Sequence, residues 1–300
     1  MQKHLSKKQK KTLIIYAVII IAALYSFLSE KIDRSSFSDS ETSIENASYV
    51  HFLSVGQGDC TLIETHDGKF ALIDASTQDY SDIIVSYLFN EGVEELEFVL
   101  FTHPHEDHIG GGDEVLNTFP VKTVYMTDKT ENTSSYDRLL NAVKNSKKKN
   151  STKVIRPEDG DIFELGDIEF QILSDGDNYE DLNNSSICLR MELGKSTFIF
   201  TGDAEKEVEY DILDKNVSVS AEVYKCGHHG SSTSNSDAFL DAINPNLVII
   251  SCGLDNSYGH PHIEVTEALE ERGIVSKRTD IDGTIVVAFN ENKLAVTSAF

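Results

Sequence analysis

Thr102-His103-Pro104-His105-Glu106-Asp107-His108 sets three imidazoles and a carboxylate at H-x-H-x-D-H spacing, directly after the apolar run Phe98-Val99-Leu100-Phe101. That run has the length and composition of a short buried strand, and Gly110-Gly111-Gly112 follows as a breaker. The donors therefore stand where a strand ends and the chain turns. Imidazole nitrogen and carboxylate oxygen are the atoms that zinc and manganese accept, and there are too many here for one tetrahedral ion. The stretch predicts a centre for two divalent metal ions, zinc or manganese.

Other strand ends carry matching residues. Asp74 follows Ala71-Leu72-Ile73, Asp203 follows Phe198-Ile199-Phe200-Thr201-Gly202, and His228-His229 follow Val223-Tyr224-Lys225-Cys226-Gly227. One such Asp alone would be an ordinary turn or cap residue, and Asp203 has the right place to cap a helix at Glu205. Several together point to a site built from loops.

Around these loops, Cys60 to Ile63 and Phe70 to Ile73 form a predicted hairpin, with His66-Asp67-Gly68 as its turn. Helical periods cover Asp82 to Asn90 and Tyr136 to Lys149. Further on, strands (153–155, 168–173, 187–191, 198–200, 223–225, 247–250, 284–289) alternate with helices (205–213, 237–243, 263–272). Such interleaving predicts a layered α/β sandwich. The basic end Lys147-Lys148-Lys149 suits a helix dipole and is no nucleic-acid patch. Cys60, Cys188, Cys226 and Cys252 form no C-x-x-C pair and lie in apolar runs, as small buried hydrophobes do, although a Cys226–Cys252 bridge stays open.

Ahead of the sandwich, residues 1–11 hold five lysines, and 12–29 contain no charge. Eighteen helical residues span about 27 Å, close to a bilayer's hydrocarbon core. The lysines place the N-terminus in the cytoplasm and the remainder outside the cell membrane, as a single-pass protein. The apolar run is long for a signal peptide, and no A-x-A site follows it. Residues 30–47 are polar and acidic, a tether, and 48–300 form the folded domain. The chain's 300 residues carry a net −24; beyond residue 30 there are 21 basic and 49 acidic side chains, a net of −28. That surface lacks the basic footprint of an avid nucleic-acid binder, while bound metals would add positive charge locally.

Taken together, H-x-H-x-D-H, the Asp74 strand end, Thr201-Gly202-Asp203 and the late histidines resemble the metallo-β-lactamase fold superfamily. Val55-Gly56-Gln57-Gly58-Asp59, Gly227-His228-His229-Gly230-Ser231 and Tyr258-Gly259-His260-Pro261-His262 are similar to the extracellular hydrolase domain of competence DNA-uptake proteins, a subgroup shared with phosphorylcholine esterases. The resemblance implies a four-layer αββα sandwich with two metals at one edge. His103 and His105 would hold the first. Asp107, His108 and His228 would hold the second, Asp203 would bridge them, and His229 would be the weaker candidate of its pair. Asp74 would orient a ligand histidine, and Asn183 and Asn184 would stand behind the ligands. Many relatives have another histidine between the first run and the bridging Asp. None lies between His108 and His228 here; Asp181-Leu182-Asn183-Asn184-Ser185-Ser186 stands in that region. The first metal would then keep open positions, which favours manganese beside zinc.

The implied chemistry is hydrolysis by a hydroxide bridging two cations, acting on a phosphodiester: single-stranded DNA or a phosphocholine-type ester. Asp107, His260 and His262 would be the catalytic groups, one of the two late histidines protonating the leaving oxygen or clamping the phosphate. Ser231 and Tyr258 would bind substrate, and His260 alternatively caps the helix that follows. No protein partner is indicated. The contrasting reading is a catalytically silent, metal-stabilised binding protein.

Overall fold

The computed structural model describes residues 44–298. The basic tail, the expected membrane segment 12–29 and most of the tether lie outside them, and no helix among the described residues is long and apolar enough to cross a membrane.

Apolar alternation makes the strands, and the pairing sorts them into two mixed sheets. The first contains β1 (Ser48–Phe52), β2 (Thr61–Glu64), β3 (Phe70–Ile73), β4 (Leu96–Leu100), β5 (Val121–Tyr125) and β6 (Lys153–Ile155). The second contains β7 (Ile162–Leu165), β8 (Ile168–Ser174), β9 (Cys188–Leu193), β10 (Ser196–Phe200), β11 (Val223–Lys225), β12 (Leu247–Ile250) and β13 (Val275–Arg278). The chain then returns to the first sheet with β14 (Ile285–Phe289) and β15 (Leu294–Ser298). The orders are β15-β14-β1-β2-β3-β4-β5-β6 and β13-β12-β11-β10-β9-β8-β7.

Aromatic rings fill the space between the sheets. Phe52 stacks on Phe200 at 6.2 Å, Phe98 meets Phe170 edge-on at 5.3 Å, and Phe198 meets Phe289 at 5.0 Å. Helices cover both outer faces. On the first sheet, α1 (Ser81–Asn90), α3 (Gly112–Thr118) and α4 (Ser134–Asn150) bury Ile84, Leu88, Val115, Leu116 and Leu139; the single turn α2 (Glu106–Ile109) lies between them in sequence. On the second sheet, α5 (Lys206–Asp214), α6 (Asp237–Ile243) and α7 (Ile263–Glu271) bury Val208, Ile212, Phe239, Leu240 and Leu269. These are the four αββα layers expected from the sequence.

Strands β3 to β6 run parallel, as do β10 to β13. Asp74, His103 to His108, Asp203, His228-His229 and the 251–262 loop therefore all leave the carboxyl ends of parallel strands, where open α/β sheets gather their ligands. Four strands lack a clear signal in the sequence: β5, β7, β13 and β15. Three of them are edge strands, and β7 and β13 expose half of their residues, so no buried apolar face marks them. All four cysteines are buried and free, so no bridge joins Cys226 to Cys252.

Candidate metal centre

The H-x-H-x-D-H run works by two local geometries. His105 is extended (φ −66°, ψ 147°), and the two-residue spacing of an extended segment puts His103 and His105 on one side. The single turn α2 then folds Asp107 and His108 back toward them. His103 Nε2 lies 2.9 Å from His105 Nδ1 and 3.8 Å from Asp203 Oδ2. His108 Nε2 lies 3.1 Å from Asp203 Oδ1, the oxygen that also stands 3.6 Å from His229 Nε2. Asp107 Oδ2 is 3.4 Å from His229 Nε2. Two donors on one tetrahedral zinc are separated by about 3.3 Å, given bonds near 2.0–2.1 Å. The atoms thus form two groups, His103-His105-Asp203 and Asp107-His108-Asp203-His229, that share Asp203 through its two oxygens.

The side chains fit a pair of cations for a further reason. His108 Nε2, His229 Nε2 and Asp203 Oδ1 are buried without a hydrogen-bond partner, an arrangement that costs stability unless something positive binds them. The other face of each ring is committed. His108 Nδ1–H donates to Asp74 Oδ2 at 2.7 Å, and Asp74 is held by the Thr102 N–H and hydroxyl, both at 2.8 Å. His229 Nδ1–H donates to the Ser251 carbonyl at 3.0 Å. In both rings Nε2 is therefore the atom that faces the centre, free to bind a cation once its proton is displaced. His103 Nδ1 contacts the Ser186 hydroxyl at 3.2 Å, and that hydroxyl accepts the Asp203 N–H at 3.0 Å.

Electrostatics follow the same layout. Burial opposes every charge here, but His108 and His229 hold Asp203 well below the usual carboxylate range. Burial likewise opposes charge on His108, yet Asp203 and Asp74 raise it well above an ordinary imidazole. His229 is pushed up to about 10, burial being overruled by Asp203 and Asp59. His103 moves the other way, down, through burial and the neighbouring His108.

Several expected roles change. His228 and His229 both adopt left-handed backbone (φ 50° and 54°) between Gly227 and Gly230. Such strain costs about 1–2 kcal/mol per residue. It buries the His229 ring and leaves His228 nearer the cavity mouth, its Nε2 3.6 Å from Asp203 Oδ2 and its Nδ1 3.3 Å from the Thr233 hydroxyl. His229, not His228, takes the inner position. His262 is engaged within its loop, away from the cavity: its Nδ1 accepts the Ser232 N–H at 2.9 Å, which leaves Nε2–H for the Tyr258 carbonyl at 3.2 Å. Ser231 is buried in the turn, its hydroxyl shared with Thr233 at 3.0 Å, so it offers nothing to a substrate. Asn184 does not stand behind the ligands; it accepts the Glu205 N–H at 2.9 Å and pins the start of α5. Asn183 lines the cavity, and Ser186 is the residue of that segment that backs the ligands. His260 caps no helix, since the residue before α7 is His262, without a side-chain cap.

The centre opens into a cavity of about 340 Å³, lined by Gln57, Asp107, Asn183, His229, Tyr258 and His260 among others. Tyr258 stacks on His260 at 5.6 Å. Burial, with His229 and His228 nearby, lowers His260 to about 4, so its ring is neutral at physiological pH.

Behind the centre stand residues that sequence patterns did not single out. Asp59 Oδ1 lies 3.3 Å from His229 Nδ1, and Asp59 Oδ2 pairs with Lys225 Nζ at 2.9 Å, all three side chains being buried. Asn235 accepts the Gly227 N–H at 3.0 Å and donates to the Gly227 and Ser231 carbonyls, bracing the strained turn. Only the placement of Asp59 in the quoted Gly56-Gln57-Gly58-Asp59 turn and of Lys225 in an otherwise apolar strand hinted at them.

Comparison with known proteins bears on the family and the fold. The family model described as "Metallo-beta-lactamase superfamily" matches residues 53–253. The chain is 29% identical over 269 residues to ComE operon protein 3 of Bacillus subtilis, covering 84% of this chain and 34% of that protein. It is 29% identical over 256 residues to Recombination protein 2 of Haemophilus influenzae, covering 83% and 30%. The chain therefore spans about a third of the length of these curated relatives. Among solved structures, the metallo-beta-lactamase fold protein YhfI from Bacillus subtilis superposes with a TM-score of 0.55 at 12% identity, over 81% of this chain and 100% of that one, a likeness of fold alone. With a matching family model over most of the folded domain and the ligand constellation in place, the chain belongs to the metallo-beta-lactamase superfamily.

Proposed function

We propose that this chain is a metal-dependent phosphodiesterase acting on single-stranded nucleic acid, held on the outer face of the cell membrane by residues 12–29. The observation that carries the reading is the shared Asp203 between two donor groups at the floor of an open cavity. A cation held by the three-donor group, His103-His105-Asp203, would have positions left for water and substrate, unlike one in a closed structural site. Two divalent cations, zinc or manganese, would supply charge neutralisation for a phosphodiester and an activated water. The chain's own residues do the rest. Asp74, Ser251 and Ser186 orient the ligand rings. Asn183 and Tyr258 flank the substrate, and the neutral His260 offers a hydrogen bond across the cavity from the centre.

The printed name of one relative, a recombination protein, favours DNA over a small ester. The net charge of −24 pulls toward a phosphocholine-type ester, because it repels a polyanion at long range. The deciding experiment loads the stripped full-length chain with zinc or manganese, measures bound metal, and offers single-stranded DNA, a phosphocholine diester and bis-(p-nitrophenyl) phosphate. About two ions per chain and cleavage of the DNA are expected, with kcat falling about 10³-fold or more in His103→Ala and Asp203→Ala. Exclusive cleavage of the phosphocholine diester would replace the nuclease reading. Bound metal without any cleavage would leave a metal-stabilised binding protein. Release of the domain by protease added to intact cells tests the anchor; full protection would overturn it.

A further inference from the structure

The turn after β1 reaches across the domain to the loop after β12 through a single side chain. Gln57 Oε1 accepts the Gly253 N–H at 3.0 Å, and Gln57 Nε2 stands 3.3 Å from His260 Nδ1. A peptide N–H only donates, so it fixes which end of the amide is oxygen. The remaining NH₂ only donates as well. His260 Nδ1 must therefore be the bare nitrogen, and a neutral ring then carries its proton on Nε2. The backbones approach closely here: a Cβ on Gly253 would sit 2.9 Å from the Gln57 nitrogen, so only glycine admits the contact. The rest of His260 is held too. Asn256 accepts its N–H at 3.0 Å and donates to its carbonyl at 2.6 Å, and Tyr258 stacks on the ring. Among the described residues no hydrogen bond engages Nε2, and the ring lines the cavity beside His229, 6.3 Å away between centroids.

We propose that Gln57 is a positioning residue that commits His260 to the neutral tautomer protonated on Nε2, making His260 a hydrogen-bond donor to the substrate phosphate and not its proton donor. The proposal rests on the phosphodiesterase reading. A neutral imidazole that surrendered its Nε2 proton would become an imidazolate, far too basic to form near pH 7. His260 thus keeps its proton through the reaction, its N–H strengthening its bond to a phosphoryl oxygen as negative charge builds there, and the leaving alkoxide takes its proton from water. Preorganised donors of this kind are worth about 10²–10³ in kcat, and a neutral histidine is a recognised electrophile for developing negative charge.

The test is the protonation pattern of the ring in the zinc-loaded full-length chain with ¹⁵N-labelled histidine, read from long-range ¹H–¹⁵N correlations. The wild type should show His260 with a bare Nδ1 and a protonated Nε2. Gln57→Glu keeps an acceptor for Gly253 but faces His260 with a second acceptor, so Nδ1 should gain a proton. Zinc content should hold while kcat on the diester falls about 10-fold or more. Gln57→Leu removes the amide without adding an acceptor and should give a mixture of tautomers. A wild-type ring protonated on Nδ1, variants with an unchanged ring, or a moved proton with unchanged kcat would each overturn the proposal. The expected ring pattern with no diester cleaved by any form would sink the phosphodiesterase reading while upholding the Gln57–His260 assignment.

Discussion

Lys225 and Asp59 form a buried charged pair behind the His229 ring. Burial opposes both charges, but Lys225 and His229 hold the Asp59 carboxyl well below its usual range, and Asp59 keeps the lysine above its own. Lys225→Met would leave the carboxylate buried without its main partner, at a cost of about 3–5 kcal/mol. The sign of the pH dependence follows from the two directions. A depressed acid lends stability above its unfolded value and loses it as pH falls through the folded one. A raised lysine lends stability below its unfolded value and loses it only as pH rises past the folded one. The penalty in Lys225→Met should therefore stay level between roughly pH 5 and 9, as measured by urea unfolding of the chelator-treated chain. A penalty that fades within that window would show that the pair is not held as described.

At the scale of elements, the site depends on how closely the turn after β1 packs on the turn α2. Gly58 makes that approach possible: a Cβ there would lie 2.6 Å from the Asp107 carbonyl oxygen and 2.6 Å from the Ser76 hydroxyl. The Asp59 N–H then donates to the same Asp107 carbonyl at 3.0 Å. Gly58→Ala should cost about 1–3 kcal/mol through overpacking and lower bound zinc by moving Asp107, with denaturation midpoint and metal content as the readouts. Normal metal content in a destabilised variant would confine the effect to packing. The sequence marks this turn by its glycines but gives no sign of its partner, because Gly58 and Asp107 meet only after both strands have entered the first sheet. Helix α1 and strand β3, by contrast, are legible almost to the residue, since their apolar periods need no distant partner.

Across the whole molecule, the donor groups tie one sheet to the other: His103, His105 and His108 follow β4 of the first, and Asp203 and His229 follow strands of the second. Bound cations would staple the sheets at one edge, while the aromatic core joins them through contacts that involve none of the donor residues. Removing metal should therefore preserve the far-ultraviolet circular dichroism and lower Tm. At a free-metal concentration 100 times Kd the linkage is about 2.7 kcal/mol, or roughly 5–10 °C for a domain of this size. An unchanged Tm would argue against metal spanning the two sheets. The sequence by itself determined the layered α/β class, the donor types and the strand ends that bear them, because apolar periodicity and ligand chemistry are local properties. Tertiary structure alone decided that His229 is the more deeply buried of the histidine pair, that Ser186 backs the ligands, that His262 braces a loop, and that Gln57 reaches His260 from 203 residues away. Those outcomes depend on the sign of a backbone angle and on which loops the two sheets bring together, and neither is written in the spacing of residues along the chain.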